Sequence, residues 1–169
     1  MVETIATYDM SLEKSIQIHP DCKKLLKLEG VGPINAVNLY ISLGCAELGT
    51  FNKGKNASAC IGLTPIQHST GGKVKLGTIG KKCKNSMLRS QLISGAMSVV
   101  SQVIKREAKT KKEMWLKALA ERRGNKCAAV ALALANKTVR TAFAMLTQGT
   151  EYKAELLAAS KRVHTTKNA

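Results

Sequence analysis

"NKCAAVALALANKTVRTAFAMLTQG" runs from Asn125 to Gly149. From Cys127 to Ala135 it is apolar on every side. A helix with no polar face has nothing to turn toward water, so this half belongs in an interior. Gly149 supplies a stop. The apolar run is far too short to cross a bilayer, so no membrane partner is expected. Just upstream, "KKEMWLKALAERRG" (Lys111–Gly124) reads as a helix with Trp115, Leu116 and Leu119 turned inward, and with Arg122 and Arg123 near its C-terminus, where the helix dipole favours cations. Further upstream, Asn85 to Arg106 repeats apolar residues at helical spacing, among them Leu88, Leu92, Val99 and Val103. Aromatic residues are scarce, with one Trp, three Tyr and two Phe, whereas Ala, Leu and Lys abound. That composition favours helix over sheet. The expected fold class is all-α: a bundle of five to six helices whose core holds Leu116, Leu119, Val130, Leu134 and Phe143.

The N-terminal half extends the helical pattern. Ile5, Tyr8, Leu12 and Ile16 form one stripe, so residues 1–19 read as the end of an amphipathic or coiled-coil helix. Residues 20–152 read as one domain and residues 153–169 as a frayed tail. Within the domain, "LLKLEGVGPINAVNLY" (Leu25–Tyr40) has the form of a helix-hairpin-helix element. Gly30 and Gly32 allow a tight turn, and their backbone N–H groups, with the helix start at Pro33, could hold a phosphate. A glycine-stopped helix pair without a ligand gives the same pattern. Residues 45–54 read as a connector and Lys55–Leu63 as a brief helix. Thr64–Ile79, with Pro65, Gly71, Gly72 and Gly77, reads as one long basic loop, with at most a turn of extended chain.

Charge points to a partner. The chain carries 27 Lys and Arg against 11 Asp and Glu, a formal charge of +16. Such an excess costs stability through self-repulsion unless a polyanion offsets it. No carboxylate falls between Glu47 and Glu107, while ten cations do, including Lys53, Lys73, Lys75, Lys81, Lys82, Lys84 and Arg89. A surface built only for solubility would intersperse the two signs. Nucleic acid is the expected partner, because Lys and Arg release the counterions condensed on phosphates.

Inside the tract lies "GLTPIQHSTGGKVKLGTIGKKCKNSMLR" (Gly62–Arg89). Ser69 has two readings. As a nucleophile it needs its proton removed and the charge on its target offset, for which nearby lysines and backbone amides are suited. As a spacer it belongs to a phosphate-contacting loop without chemistry, the simpler reading of the local residues. The P-loop spacing is absent, and no carboxylate stands near His68 to orient it. Lys73, Lys75, Lys81, Lys82, Lys84 and Arg89 are the expected phosphate contacts, with Gly30 and Gly32. Trp115, Tyr40 and Phe51 read as core. The five cysteines form no C-x-x-C pair and the three histidines are too far apart to complete a zinc site. Free thiols in a reducing cytoplasm are expected, and no metal or other cofactor in this chain.

In their order, "LEGVGPINAVNLYISLG", "FNKGKNASACIGLTPIQHSTGGKVKLGTIGKK", "NSMLR" and "WLKALAERRGNKCAAVALALANKTVRTAFAMLTQG" resemble the C-terminal half of transposases of the IS-one-ten and IS-eleven-eleven type, which include the Piv-type DNA invertases. The resemblance covers about Asp21 to Tyr152. It implies DNA recombination by a serine nucleophile in an S-[ST]-G-G segment, here "STGG", which puts the role on Ser69, with Thr70 as the neighbouring alternative. It further implies an N-terminal RuvC-like domain with an acidic quartet that holds a divalent metal such as Mg, and for some members a structured guide RNA. That domain has no counterpart among the eleven carboxylates here. Where relatives carry Ser-Lys-Arg-Gly, this chain reads Gly80-Lys81-Lys82-Cys83-Lys84. The expectation is a DNA-binding recombinase domain, incomplete alone and working with a separate RuvC-like half. A non-catalytic nucleic-acid-binding module or transposase remnant, and a homo-oligomerisation module, stand as alternatives.

Overall fold

The computed structural model describes residues 2–45, 50–80, 85–124 and 126–152. Lys81, Lys82, Lys84 and the 153–169 tail lie outside the described residues. Helices α1 (Val2–Ile18), α2 (Pro20–Leu25) and α3 (Pro33–Leu39) come first, and α3 runs into a π-helical turn, Tyr40–Gly44. α4 (Gly54–Cys60) precedes two strands, β1 (Pro65–Thr70) and β2 (Lys73–Ile79). α5 (Ser86–Lys105), α6 (Lys111–Arg122) and α7 (Cys127–Gln148) complete the body.

The molecule is mainly helical, with α7 at its centre, but the all-round apolar half of α7 is not buried on every side as expected: Ala128 and Ala129 are exposed, and Cys127, Leu132 and Ala133 are half-buried, because the other helices cover one face of it. α5, α4, α6 and the π-helical turn pack on α7. Val130, Ala131, Leu134, Ala135, Val139 and Ala142 are fully or almost fully buried. By length and composition α7 is the one described helix that could cross a membrane. One face of it is buried within the bundle, and a core helix can share that length and composition. Leu116 joins the core, while Leu119, Phe143, Tyr40, Phe51 and Trp115 pack against it half-buried. Local chemistry sets the helix limits. Asn85 Oδ1 accepts from Leu88 N at 3.0 Å, capping α5. Thr110 Oγ1 accepts from Glu113 N at 3.1 Å, capping α6. Gly149 adopts φ 63° to end α7.

Six α-helices, α2 to α7, fall within residues 20–152 among the described residues, and α1 precedes them. One further expectation needs correction. The 64–79 segment is a β-hairpin rather than a loop. β1 and β2 pair antiparallel, with Gln67 opposite Leu76, His68 opposite Lys75, Ser69 opposite Val74 and Thr70 opposite Lys73. Gly71 and Gly72 turn the chain at φ 58° and 76°, the two positive values that a two-residue hairpin turn of the right twist requires. The glycines that read as breakers make the turn.

Only Ile16 of the α1 stripe is buried; Ile5 and Tyr8 are exposed at 57% and 72%. α1 therefore meets the body only toward its C-terminal end, against α2 and α3.

Candidate functional site

The hairpin stands off the helical body, and every residue from Gln67 to Ile79 is exposed. Side chains alternate across a strand and pair across the ladder. Its register therefore sorts the hairpin into two faces. His68, Thr70, Lys73 and Lys75 share one, and the His68 ring lies 3.4 Å from where a Cβ on Gly77 would stand. Gln67, Ser69, Val74 and Leu76 share the other. Ser69 Oγ accepts a hydrogen bond from Gln67 Nε2 at 3.2 Å. The lysines expected to serve Ser69 thus lie behind it, whereas Thr70 shares their face. A hydroxyl nucleophile needs a base within hydrogen-bond reach, and among the described residues no carboxylate or imidazole bonds to Ser69.

Arg89 is placed at the root of the hairpin. Its Nε donates to the Gly62 carbonyl at 3.1 Å. Its guanidinium lies where a Cβ on Gly80 would stand, and Gly80 has φ +85°. One side chain thus holds the residues that precede β1 and follow β2. Lys73 and Lys75 project from the hairpin, while Lys105 and Arg106 lie at the opposite end of α5, about 28 Å away at 1.5 Å per residue. The carboxylate-free tract is therefore not one surface. Arg106 is also neutralised: Nη1 and Nη2 bond Glu113 Oε2 and Oε1 at 3.1 and 2.5 Å. Burial works against the Glu113 charge, but Arg106 and the Lys109 N–H hold its carboxyl below the usual range.

The turn between α2 and α3 serves packing. Gly30 has φ +77°, and a Cβ there would meet the Gly95 carbonyl carbon and oxygen of α5 at 2.9 Å. A Cβ on Gly95 would stand 2.1 Å from the Gly30 oxygen. Two glycines therefore let the turn touch the α5 backbone. Gly32 differs: it is exposed, and a Cβ there would meet nothing within 4 Å. The hollow beside the turn is lined by neutral groups, including Gln91, Ser94 and Ser98. Of the lysines just upstream, Lys24 pairs with Asp21 at 2.9 Å and Lys27 with Glu151 at 4.0 Å.

A network with no sequence signal locks this turn to α6. Lys112, 5% exposed, donates to Glu29 Oε2 at 2.5 Å and to Tyr152 Oη at 3.2 Å. Tyr152 Oη donates to Glu29 Oε1 at 2.6 Å. Burial pushes the Glu29 pKa up, but the bonds from Lys112 and Tyr152 outweigh it and hold the carboxyl low. Burial, and then the bond to that carboxylate, push the Tyr152 phenol well above its ordinary value. In sequence Lys112 is one lysine of a "KK" pair, and nothing local marks it as buried.

No three His, Cys, Asp or Glu side chains come together among the described residues to hold a metal ion. The described residues thus do not fit the divalent metal of the resemblance. What they define is a cationic, mainly helical domain that presents a hydroxyl-bearing hairpin. The profile of the "Transposase IS116/IS110/IS902 family" matches residues 22–113, more than half of the chain. The chain belongs to this family of insertion-sequence transposases. It is 39% identical over 151 residues to the "Transposase for insertion sequence element IS1111A" of Coxiella burnetii, covering 89% of this chain and 40% of the relative. It is 38% identical over 157 residues to the "Probable family 20 transposase" of Pseudomonas aeruginosa, covering 90% of this chain and 44% of the relative. The chain spans about two-fifths of the length of these relatives. No solved structure matches it.

Proposed function

We propose that this chain is the DNA-contacting, serine-bearing part of an insertion-sequence transposase. The observation that carries the reading is the projecting hairpin. In a chain of this family, it presents Ser69 and Thr70 next to an exposed two-glycine turn, with Lys73 and Lys75 on the Thr70 face of the hairpin and Ser69 on the other. A polynucleotide can reach such a hairpin without any rearrangement of the core. In the proposed step, Ser69 Oγ attacks a DNA phosphorus. A phosphoserine diester forms, the P–O bond to one deoxyribose oxygen breaks, the Oγ proton passes to a base, and the released oxygen takes up a proton. The base lies outside the groups that touch Ser69 here, and so does the acidic metal site, which the resemblance assigns to a RuvC-like half. Lys73 and Lys75, with Lys81, Lys82 and Lys84, would hold the sugar–phosphate backbone. The exposed Gly32 N–H is the better placed of the two turn amides for a phosphate. A structured guide RNA belongs to the same proposal as a further polyanionic partner.

Covalent trapping on element-end DNA, with the RuvC-like half added, tests the chemistry. A protein–DNA adduct that disappears in Ser69→Ala and persists in Thr70→Ala is the expected result. The reverse pattern moves the nucleophile to Thr70, and no adduct in either background leaves a binding module without catalysis. Self-association through α1 is a second reading, favoured by the exposed Ile5 and Tyr8. Light scattering at several concentrations tests it.

A further inference from the structure

α4, α6 and α7 enclose an open cleft of about 1020 Å³ on the body of the molecule. Four cations from three parts of the chain line it: Lys53, Arg123, Lys137 and Arg140. No carboxylate does. Lys24, Lys27, Arg106 and Lys112 each face an acid, whereas most other described cations, such as Lys73, Lys75 and Lys105, do not. None of the four in the cleft has such a partner among the described residues. Three of them fall outside the carboxylate-free tract, so the sequence alone does not group them. α7 gathers them: Lys137 and Arg140 lie about one turn apart on it. The backbone of Arg140 sits 3.3 Å from where a Cβ on Gly54 would stand, which brings α4 and Lys53 alongside. The floor is small and apolar, with Ala133 and Ala144. Trp115 forms part of the wall, with Lys137 Nζ 4.7 Å from its ring centroid. That contact places the ammonium of the exposed Lys137 over the ring at the cleft wall. Ile79, the last residue of β2, lines the same cleft.

We propose that this cleft binds the sugar–phosphate backbone of a nucleic-acid strand and leads that strand to the root of the hairpin. The inference rests on the nucleic-acid reading above and adds to it a second contact surface, separate from the hairpin lysines. Unpaired positive charges brought together over an apolar floor repel one another, and a run of phosphates relieves the repulsion. Arg123 and Arg140 supply planar donor sets that match phosphate oxygens. The cleft is continuous with the hairpin through Ile79, so the partner it fits is a polymer that passes on toward Ser69.

Trp115 is the only tryptophan of the chain, so its fluorescence reports this cleft directly. Labelled single-stranded DNA, duplex DNA and single-stranded RNA of mixed sequence are titrated into the full chain, with anisotropy for total binding and tryptophan emission for the cleft. Binding is expected to change the tryptophan emission, and the polymer that changes it most is the one the cleft takes. Lys137→Glu/Arg140→Glu is expected to weaken binding about 30-fold and to lower the salt slope by roughly 2. Lys14→Glu/Lys105→Glu, which changes net charge equally, is expected to weaken it less than about 3-fold. Circular dichroism confirms that each variant is folded, and Arg140→Gln, expected to lose about 5-fold, serves if the double variant does not fold. Binding with no change in tryptophan emission, or equal losses in cleft and control variants, overturns the cleft. Loss confined to Lys73→Glu/Lys75→Glu overturns the cleft but leaves the DNA-contacting reading standing. No binding of any polymer overturns both.

Discussion

Arg89 shows how little a residue's type says about its work. In sequence it is one more cation among phosphate contacts; in the fold its guanidinium joins Gly62 to Gly80 across the root of the hairpin. Arg89→Lys keeps the charge and loses the planar fork, so the hairpin should loosen although electrostatics barely change. The expected outcome is a loss of about 1 kcal/mol in urea unfolding, with faster amide exchange along β2. Unchanged exchange would show that Arg89 does not hold the root. Lys112 makes the same point. It and Lys111 are equivalent in sequence, and only the arrival of Glu29 and Tyr152 from distant positions makes one of them a buried partner. The cationic tract, the "STGG" segment and the core leucines were legible. Which cations are free, and on which face of the hairpin Ser69 lies, were not.

At the scale of elements, the long helices were legible and the short ones were not. α5 spans Ser86–Lys105, and its caps fall on Asn85 and Arg106, the two ends that periodicity and polarity mark. α2 stops at Leu25, before the glycines expected to end it, and the chain then turns through bonds such as Val31 N to Leu28 O at 3.2 Å. Short helices depend on packing more than on propensity, so local signals fix their limits poorly. The hairpin was legible in part: Gly71-Gly72 is a hairpin turn signal, but the flanking residues lack the alternating apolar face of a half-buried strand. The helix–turn–helix segment separates its two glycines. Gly95→Ala should cost about 3 kcal/mol, because the new methyl would overlap the Gly30 carbonyl. Gly32→Ala should keep stability within about 1 kcal/mol. If Gly32→Ala leaves the fold intact and weakens DNA binding, a phosphate approaches the turn; if binding is unchanged, the turn is a packing device alone.

Across the whole molecule, the Glu29–Lys112–Tyr152 network ties the α2–α3 turn to α6 and to the chain beyond α7. The Glu29 carboxyl is held below its ordinary value in the fold, so the native state binds fewer protons there than the unfolded chain does. Its contribution is complete above an unfolded-state pKa of about 4.3 and fades as pH falls through the lower native value. The melting temperature should therefore hold steady from pH 7 to about 5 and drop in more acidic buffer. Glu113, also held low, adds to the same acid limb. Lys112→Met should lower stability at neutral pH by about 2 kcal/mol, less than for a fully buried pair because Glu29 is 31% exposed, and should flatten the acid limb. An acid limb unchanged in Lys112→Met would show that the ion pair contributes nothing to folding.

The helical class, the long central helix, the excess of positive charge and the resemblance to transposases were readable from the sequence alone, because periodicity, composition and ordered motifs are properties of the chain read locally. The tertiary structure decided the faces. It put Ser69 on the hairpin face away from Lys73 and Lys75, turned Arg89 inward to hold the hairpin, neutralised Arg106, and gathered Lys53, Arg123, Lys137 and Arg140 into one cleft. Whether a charge is paired, buried or free depends on what lies within a few ångströms of it, and residues far apart in the chain supply those neighbours.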